Sequence, residues 1–292
     1  MKRIVIMNCI TISLIVILSY ISTPDNQILA NHYLLIGFGS VIAFMTFLWI
    51  ISLLVKDASI VDIFWGPAFI VLGSSLLISM DQVYSERSLF ILFLVSLWAI
   101  RLASHIGFRN IGHGEDFRYV EWRNESGKNY WWHSFIRVFL LQGSLCTLVG
   151  VSIYFGYLNE KPLSFIETMF CSTIFFIGFA WESISDLQLK AFKKDPKNKG
   201  KICKNGLWKF SRHPNYFGDL VVWISIFSFS ISSENLLLIA GSILSPLIMG
   251  LIFYYITGPI MDQAMMQSRP DYKKYMENSN SCLLYTSPSP RD

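Results

Sequence analysis

Nine consecutive residues, Ser211-Arg212-His213-Pro214-Asn215-Tyr216-Phe217-Gly218-Asp219, set a cation, an imidazole, an amide and a carboxylate where a lysine-rich stretch meets an apolar run. Pro214 has the fixed φ suited to a first helical turn. A helix beginning there presents unpaired N–H groups and the positive end of its dipole to an anion. Arg212 adds a planar, two-pronged grip on phosphate or carboxylate. Asn215 both donates and accepts, which suits a carboxamide or an adenine edge. Together these residue types offer the binding of an anionic cofactor, for which a channel or a scaffold has no evident need.

Other ionisable residues gather at the ends of apolar runs. Asp62 opens one; Arg101, His105 and Arg109 follow at i, i+4 and i+8 where another closes. Glu182, Asp186 and Lys190 repeat that spacing, Asn215 and Asp219 lie four apart, and Asp262 follows the last run. Between the runs, His113-Gly114-Glu115-Asp116-Phe117-Arg118-Tyr119 places adjacent acids beside an Arg and a Tyr. That group suits proton transfer or the holding of a carboxamide, and equally a salt-bridged loop. Arg137 and Gln142 sit inside an apolar run, where packing or snorkelling accounts for them. His113 and Glu115 have too few companions for a metal site, and the five cysteines show no paired metal spacing. No His-Glu-x-x-His, Walker loop or Gly-x-Gly-x-x-Gly is present, so any nucleotide is bound without a Rossmann domain.

The elements that must position these residues are membrane helices. Of 292 residues 53% are hydrophobic and 15% charged, against about a quarter charged in soluble domains. Eight runs approach the roughly 20 residues that span a bilayer: about 4–22, 33–55, 60–80, 88–106, 134–157, 163–185, 217–232 and 235–257. The seventh is short and the third carries Asp62, so the reading is an all-α, polytopic integral membrane bundle of seven or eight helices. Basic loops alternate with poor ones. The 107–132 loop holds Arg109, Arg118, Arg123 and Lys128, and 186–215 holds eight Lys and one Arg, whereas 158–162 holds one Lys and 232–235 none. That alternation expects both termini in the cytoplasm, in a bacterial inner membrane or an endoplasmic reticulum, and makes the net charge of +4 topological rather than a sign of nucleic-acid binding.

Lys2 and Arg3 ahead of the first run suggest a signal peptide, but no small-residue cleavage site follows Tyr20, so a retained anchor is expected. Asn124-Glu125-Ser126 matches a glycosylation sequon in a loop placed on the cytoplasmic side. Residues 282–292, ending Leu284-Tyr285-Thr286-Ser287-Pro288-Ser289-Pro290-Arg291-Asp292, have the look of translated sequencing adaptor. The expected organisation is therefore a single membrane domain over 1–281, with the cofactor-binding half at about 164–281.

Gly206-Leu207-Trp208 followed by Ser211 to Asp219 resembles the C-terminal signature of membrane sterol reductases and the steroid 5-alpha-reductase superfamily. The nearer resemblance is to that superfamily's bacterial-type branch, the DUF1295 family. It extends to Asp62-Ile63-Phe64-Trp65-Gly66, to Arg101-Leu102 with His105, to Gly114-Glu115-Asp116-Phe117-Arg118-Tyr119, and to Arg269-Pro270-Asp271-Tyr272 with Tyr275, covering roughly residues 30–280. The resemblance implies a helical membrane enzyme that binds NADPH in a cytosol-facing cavity and transfers hydride to a conjugated carbon–carbon double bond of a lipid or steroid-like enone. It implies cofactor contacts from Asp186, Arg212, His213, Asn215 and Asp219. Lys190 and Lys194 would pair with phosphates, Tyr272 and Tyr275 would close the site, and Arg101 and Arg109 would grip from the other half. Asp62 falls near the place of a substrate-contacting glutamate in the steroid reductases, where a buried carboxyl can keep a proton. Trp98 stands about where a tyrosine is expected and is no proton source, which leaves Tyr119 as the substitute. The implied partners are an apolar lipid substrate and membrane lipids, with no metal and no nucleic acid.

Two other readings share the architecture. Isoprenylcysteine and phospholipid methyltransferases also carry Arg-His-Pro-x-Tyr after a basic loop and use S-adenosylmethionine. Asn215 and Asp186 favour the reductase, and only Asp262-Gln263 stands where a Glu-Glu pair would favour methyl transfer. A non-catalytic lipid-binding membrane protein on the same scaffold is the third.

Overall fold

The computed structural model describes residues 1–22, 32–83, 85–110, 112, 114–277 and 279–281. His113 and the adaptor-like 282–292 lie outside the described residues. The described residues form helices and no strand, and seven helical stretches are long and apolar enough to cross a bilayer. This is the architecture of an integral membrane protein, in which every backbone group must be satisfied within its own segment.

The helices are α1 (Lys2–Ser22), α2 (Tyr33–Val55), α3 (Ile60–Ser79), α4 (Glu86–Asn110) and α5 (Phe117–Ser126), followed by a helical run over 130–157, here α6. Then come α7 (Phe165–Lys194), α8 (Pro214–Ser228), α9 (Leu236–Ser268) and α10 (Tyr272–Glu277). Three boundaries differ from the sequence reading. The polar 117–126 stretch, read as loop, is a helix because the Asp116 side chain accepts from the Arg118 N–H as an N-cap. Gly127 ends it at φ 51°, a region that favours glycine. The sixth apolar run continues as helix through Lys194, since lysine is a good helix former. The seventh run is only 15 residues of helix, short of a full span.

Two long helices widen locally into π-turns. In α9 the widening at Phe253–Thr257 precedes Pro259, which has no N–H and crowds the carbonyl four residues back. In α6 it falls at Phe135–Leu140, where the Asn8 amide of α1 donates to the Ile136 carbonyl at 3.1 Å.

Two compact units are distinguished: Met1–Ser164 with Phe229–Ser245, and Phe165–Ser228 with the chain from Pro246 onward. In the first, α3 packs on α2 and α4, and α1 packs on α6. Trp65, Phe69 and Trp98 meet edge to face, with the Phe69 and Trp98 rings 5.5 Å apart, so Trp98 is a core aromatic. Arg87, at the start of α4, is buried. It donates to the Phe229 carbonyl at 2.7 Å and the Lys161 carbonyl at 2.9 Å, tying the start of α4 to two loops. In the second unit, α7 and α8 touch backbone to backbone. A Cβ on Gly218 would lie 2.4 Å from the Glu182 nitrogen, so nothing larger than glycine fits that crossing.

Candidate functional site

In the first unit the candidate chemistry centres on Asp62. Its carboxylate accepts from Arg118 Nη2 at 2.7 Å and from the Tyr119 hydroxyl at 2.6 Å, across 57 residues of chain. Arg118 also donates through Nε to Asp116 at 2.8 Å, and Gln142 Nε2 donates to the Tyr119 oxygen at 3.2 Å. Tyr119 is 1% exposed. Next to this group Glu115 takes a two-pronged contact from Arg123, at 2.7 and 2.9 Å, and accepts from the Ala58 N–H at 2.8 Å. The Gly-Glu-Asp-Phe-Arg-Tyr motif thus ties the start of α5 to the start of α3. Asp116 stands just ahead of its helix. Burial pushes its carboxyl up, but hydrogen bonds and charge from Arg118 hold it below the usual carboxylate range.

A depression of about 790 Å³ lies beside this motif, with Glu115, Asp116, Glu121 and Glu125 among its lining.

In the second unit the centre is Asp262. Arg212 Nη2 donates to Oδ2 at 3.1 Å, while Oδ1 takes His213 Nε2 at 2.9 Å and the Tyr272 hydroxyl at 2.6 Å. All four side chains are buried. His213 stacks on Tyr216, and Tyr216 on Phe253, with centroids 4.9 and 4.5 Å apart, which fixes the imidazole plane. Arg212 Nη1 donates to the carbonyls of Met276 and Ser279, its backbone N–H to Asn280 O, and the His213 N–H to Ser281 O. The Tyr275 hydroxyl donates to the Trp208 carbonyl at 3.2 Å. Burial first, then the adjacent Asp262 carboxylate, pushes the Tyr272 hydroxyl far above its ordinary range, so it remains a neutral donor. Burial likewise pushes Tyr275 up.

Among the described residues, two buried polar atoms at this helix start have no hydrogen-bond partner: Arg212 Nε and Asn215 Oδ1. One is a cationic donor and the other an amide acceptor, and both belong to the motif singled out in the sequence. Buried polar atoms are ordinarily paired, so each of these two is a candidate contact for a ligand. NADPH carries phosphates, a carboxamide and an adenine amine, and fits that donor set.

The remaining expected residues divide by unit. Arg101 and the exposed Arg109 lie on the last turns of α4, where Arg109 Nε donates to Asn110 at 3.2 Å. Asp186 and Asp219 are buried near the α7–α8 crossing, whereas Lys190 and Lys194 are exposed beyond it. Sequence reasoning left Asp262 out of the site. An acid surrounded by apolar residues was the available signal, but nothing local ties it to Arg212, fifty residues earlier. Among the described residues no group of three His, Cys, Asp or Glu side chains is placed to hold a metal ion.

A family profile described as a protein of unknown function (DUF1295) matches residues 48–279. An uncharacterized protein of Schizosaccharomyces pombe is 27% identical over 216 residues, covering 65% of this chain and 62% of that protein. A probable O-methyltransferase, ustE, of Ustilaginoidea virens is 42% identical over 52 residues, 18% of each chain. The chain therefore spans about six tenths of the first relative and under a fifth of the second. No solved structure matches.

Proposed function

The chain belongs to the DUF1295 family, and from that premise we propose that it is a membrane-bound oxidoreductase that binds NADPH and reduces a conjugated carbon–carbon double bond in an apolar lipid or steroid-like enone. The observation that carries this reading is the unpartnered pair Arg212 Nε and Asn215 Oδ1 at the start of α8. Arg212 would hold a phosphate, Asn215 an amide N–H, and the first turn of α8 would add its dipole. Asp262 fixes Arg212 and His213, so both are oriented before a ligand arrives. Asp186, Asp219, Lys190, Lys194, Tyr272 and Tyr275 complete the proposed contacts.

When bound, NADPH supplies hydride. Saturating the double bond also requires a proton, and Tyr119 is the proposed carrier. Its hydroxyl bears the proton, while Asp62 receives two hydrogen bonds and holds the phenol in place. Asp62 acts in this reading as the orienting carboxylate. The proposed location is a bacterial inner membrane or an endoplasmic reticulum, with both termini cytoplasmic.

The match to a probable O-methyltransferase favours a second reading, a membrane methyltransferase that uses S-adenosylmethionine. Calorimetry on detergent-purified protein, with residues 282–292 replaced, separates the two. Saturable NADPH binding weakened at least tenfold by Asn215→Ala is expected. Binding of S-adenosylmethionine with none of NADPH overturns the reductase.

A further inference from the structure

The outward face of α7 changes character along its length. Thr173, Ile177, Ala180, Ile184 and Leu187 recur every three or four residues and are exposed, Ile177 at 54% and Leu187 at 62%. That spacing defines one stripe of a helix. The same stripe continues through Lys190, Ala191 and Lys194, all exposed. Seven residues of helix rise about 10 Å, so the stripe passes from apolar to cationic over the thickness of a headgroup layer.

The following segment folds back along the end of α7 and adds to that charge. The Asn198 amide donates to the Phe192 carbonyl at 3.0 Å, Gln188 accepts from the Leu207 N–H at 2.9 Å, and Trp208 Nε1 donates to the Ser185 carbonyl at 2.9 Å. Gly206 makes this return possible, with φ at +60° and a Cβ position that would fall 2.4 Å from the Gln188 amide. Residues 190–209 thereby form a knob with eight lysines, all exposed, against one acid, Asp195, whose carboxylate caps the Lys197 N–H. Phe210, 56% exposed, adds an apolar ring beside Lys209.

We infer that this knob is a docking surface for the headgroups of anionic phospholipids in the leaflet that α7 leaves. Eight separate exposed ammonium groups suit an array of phosphates rather than one anion. The buried guanidinium of Arg212, with its planar fork, has the chemistry for a single anion instead. Juxtamembrane lysines of this kind each strengthen attraction to an anionic leaflet by about fivefold. The inference holds whichever cofactor the second unit takes.

The test is lipid retention by the purified full chain, measured by native mass spectrometry from micelles carrying equal phosphatidylglycerol and phosphatidylcholine. Phosphatidylglycerol should be retained preferentially, and the preference should collapse in about 0.5 M salt. Replacing Lys193, Lys197, Lys199 and Lys209 together by glutamine should cut it by more than a hundredfold, with unchanged melting in uncharged detergent. The same four positions as arginine should keep it. Equal retention of the two lipids overturns the inference, as does undiminished preference in the glutamine variant. If inorganic phosphate displaces the lipid at micromolar concentration, the knob serves a soluble phosphate and the inference likewise falls.

Discussion

Asp62 and Asp262 are built alike and finished differently. Each carboxylate receives an arginine Nη2 and a tyrosine hydroxyl, the latter at 2.6 Å in both. Around Asp62 the set closes on itself: Arg118 is shared with Asp116, and the tyrosine oxygen is taken by Gln142. Around Asp262 a histidine joins, and beside it Arg212 Nε and Asn215 Oδ1 are left over. A closed set fixes a fold and can hold one proton in place, whereas a set with spare buried donors and acceptors awaits a guest. That difference separates the proposed ligand contacts beside Asp262 from the proposed proton holder beside Asp62.

Removing each arginine breaks the comparison most directly. The Arg212–Asp262 side chains are 9% and 6% exposed, against 23% and 16% for Arg118–Asp62. Arg212→Ala strands a buried carboxylate and releases the carbonyls of Met276 and Ser279, a loss of about 3–5 kcal/mol. Arg118→Ala, better screened by solvent, should cost about 1–2 kcal/mol. Melting in detergent reads both, and equal losses would show that the two carboxylates stand in equivalent surroundings.

The tyrosines sharpen it. Tyr272→Phe and Tyr119→Phe each remove a hydrogen bond to a carboxylate, worth about 1.5–3 kcal/mol. Tyr119→Phe also strands the Gln142 amide, so it should be the costlier by about 1 kcal/mol. Tyr272 adds a pH signature. Its folded hydroxyl titrates far above its unfolded value, so its stabilisation is complete below about pH 10 and falls as the pH rises beyond that. Wild type should lose stability more steeply than Tyr272→Phe above that pH, and parallel alkaline melting profiles would contradict the burial of this hydroxyl.

How far these sets were legible in the sequence follows from how local their causes are. Long apolar runs dictate membrane helices almost without context, and those at 33–55 and 60–80 became α2 and α3 nearly to the residue. The polar stretch 117–126 gave the wrong impression because composition argued for loop while a single side chain, Asp116, capped a helix. Arg87 was missed for a similar reason, since a count of charges says nothing of three carbonyls converging on one guanidinium. The Ser211 to Asp219 motif was readable because its types crowd into nine residues. Asp262 was not, because its meaning comes only from packing α9 beside the start of α8. Asp62 and Tyr119 were singled out separately, and their direct hydrogen bond is a fact of the fold.

The smallest expected effect tests whether the first set is held by charge or by capping. Asn caps a helix as well as Asp does, so Asp116→Asn keeps the turn and removes only the ionic contact with Arg118. At neutral pH this should cost no more than about 1 kcal/mol, since both partners are partly solvated. Asp116→Ala also removes the cap and should cost about 1 kcal/mol more. The folded carboxyl titrates below its unfolded value, so its contribution is present above about pH 4 and disappears as the pH falls through the depressed folded value. The gap between wild type and Asp116→Asn should therefore narrow on acidification, while the gap between the Asn and Ala variants, which is capping alone, should persist. If the first gap is unchanged at pH 3, charge contributes nothing and α5 is held by its cap and by packing, with Arg118 dependent on Asp62 alone.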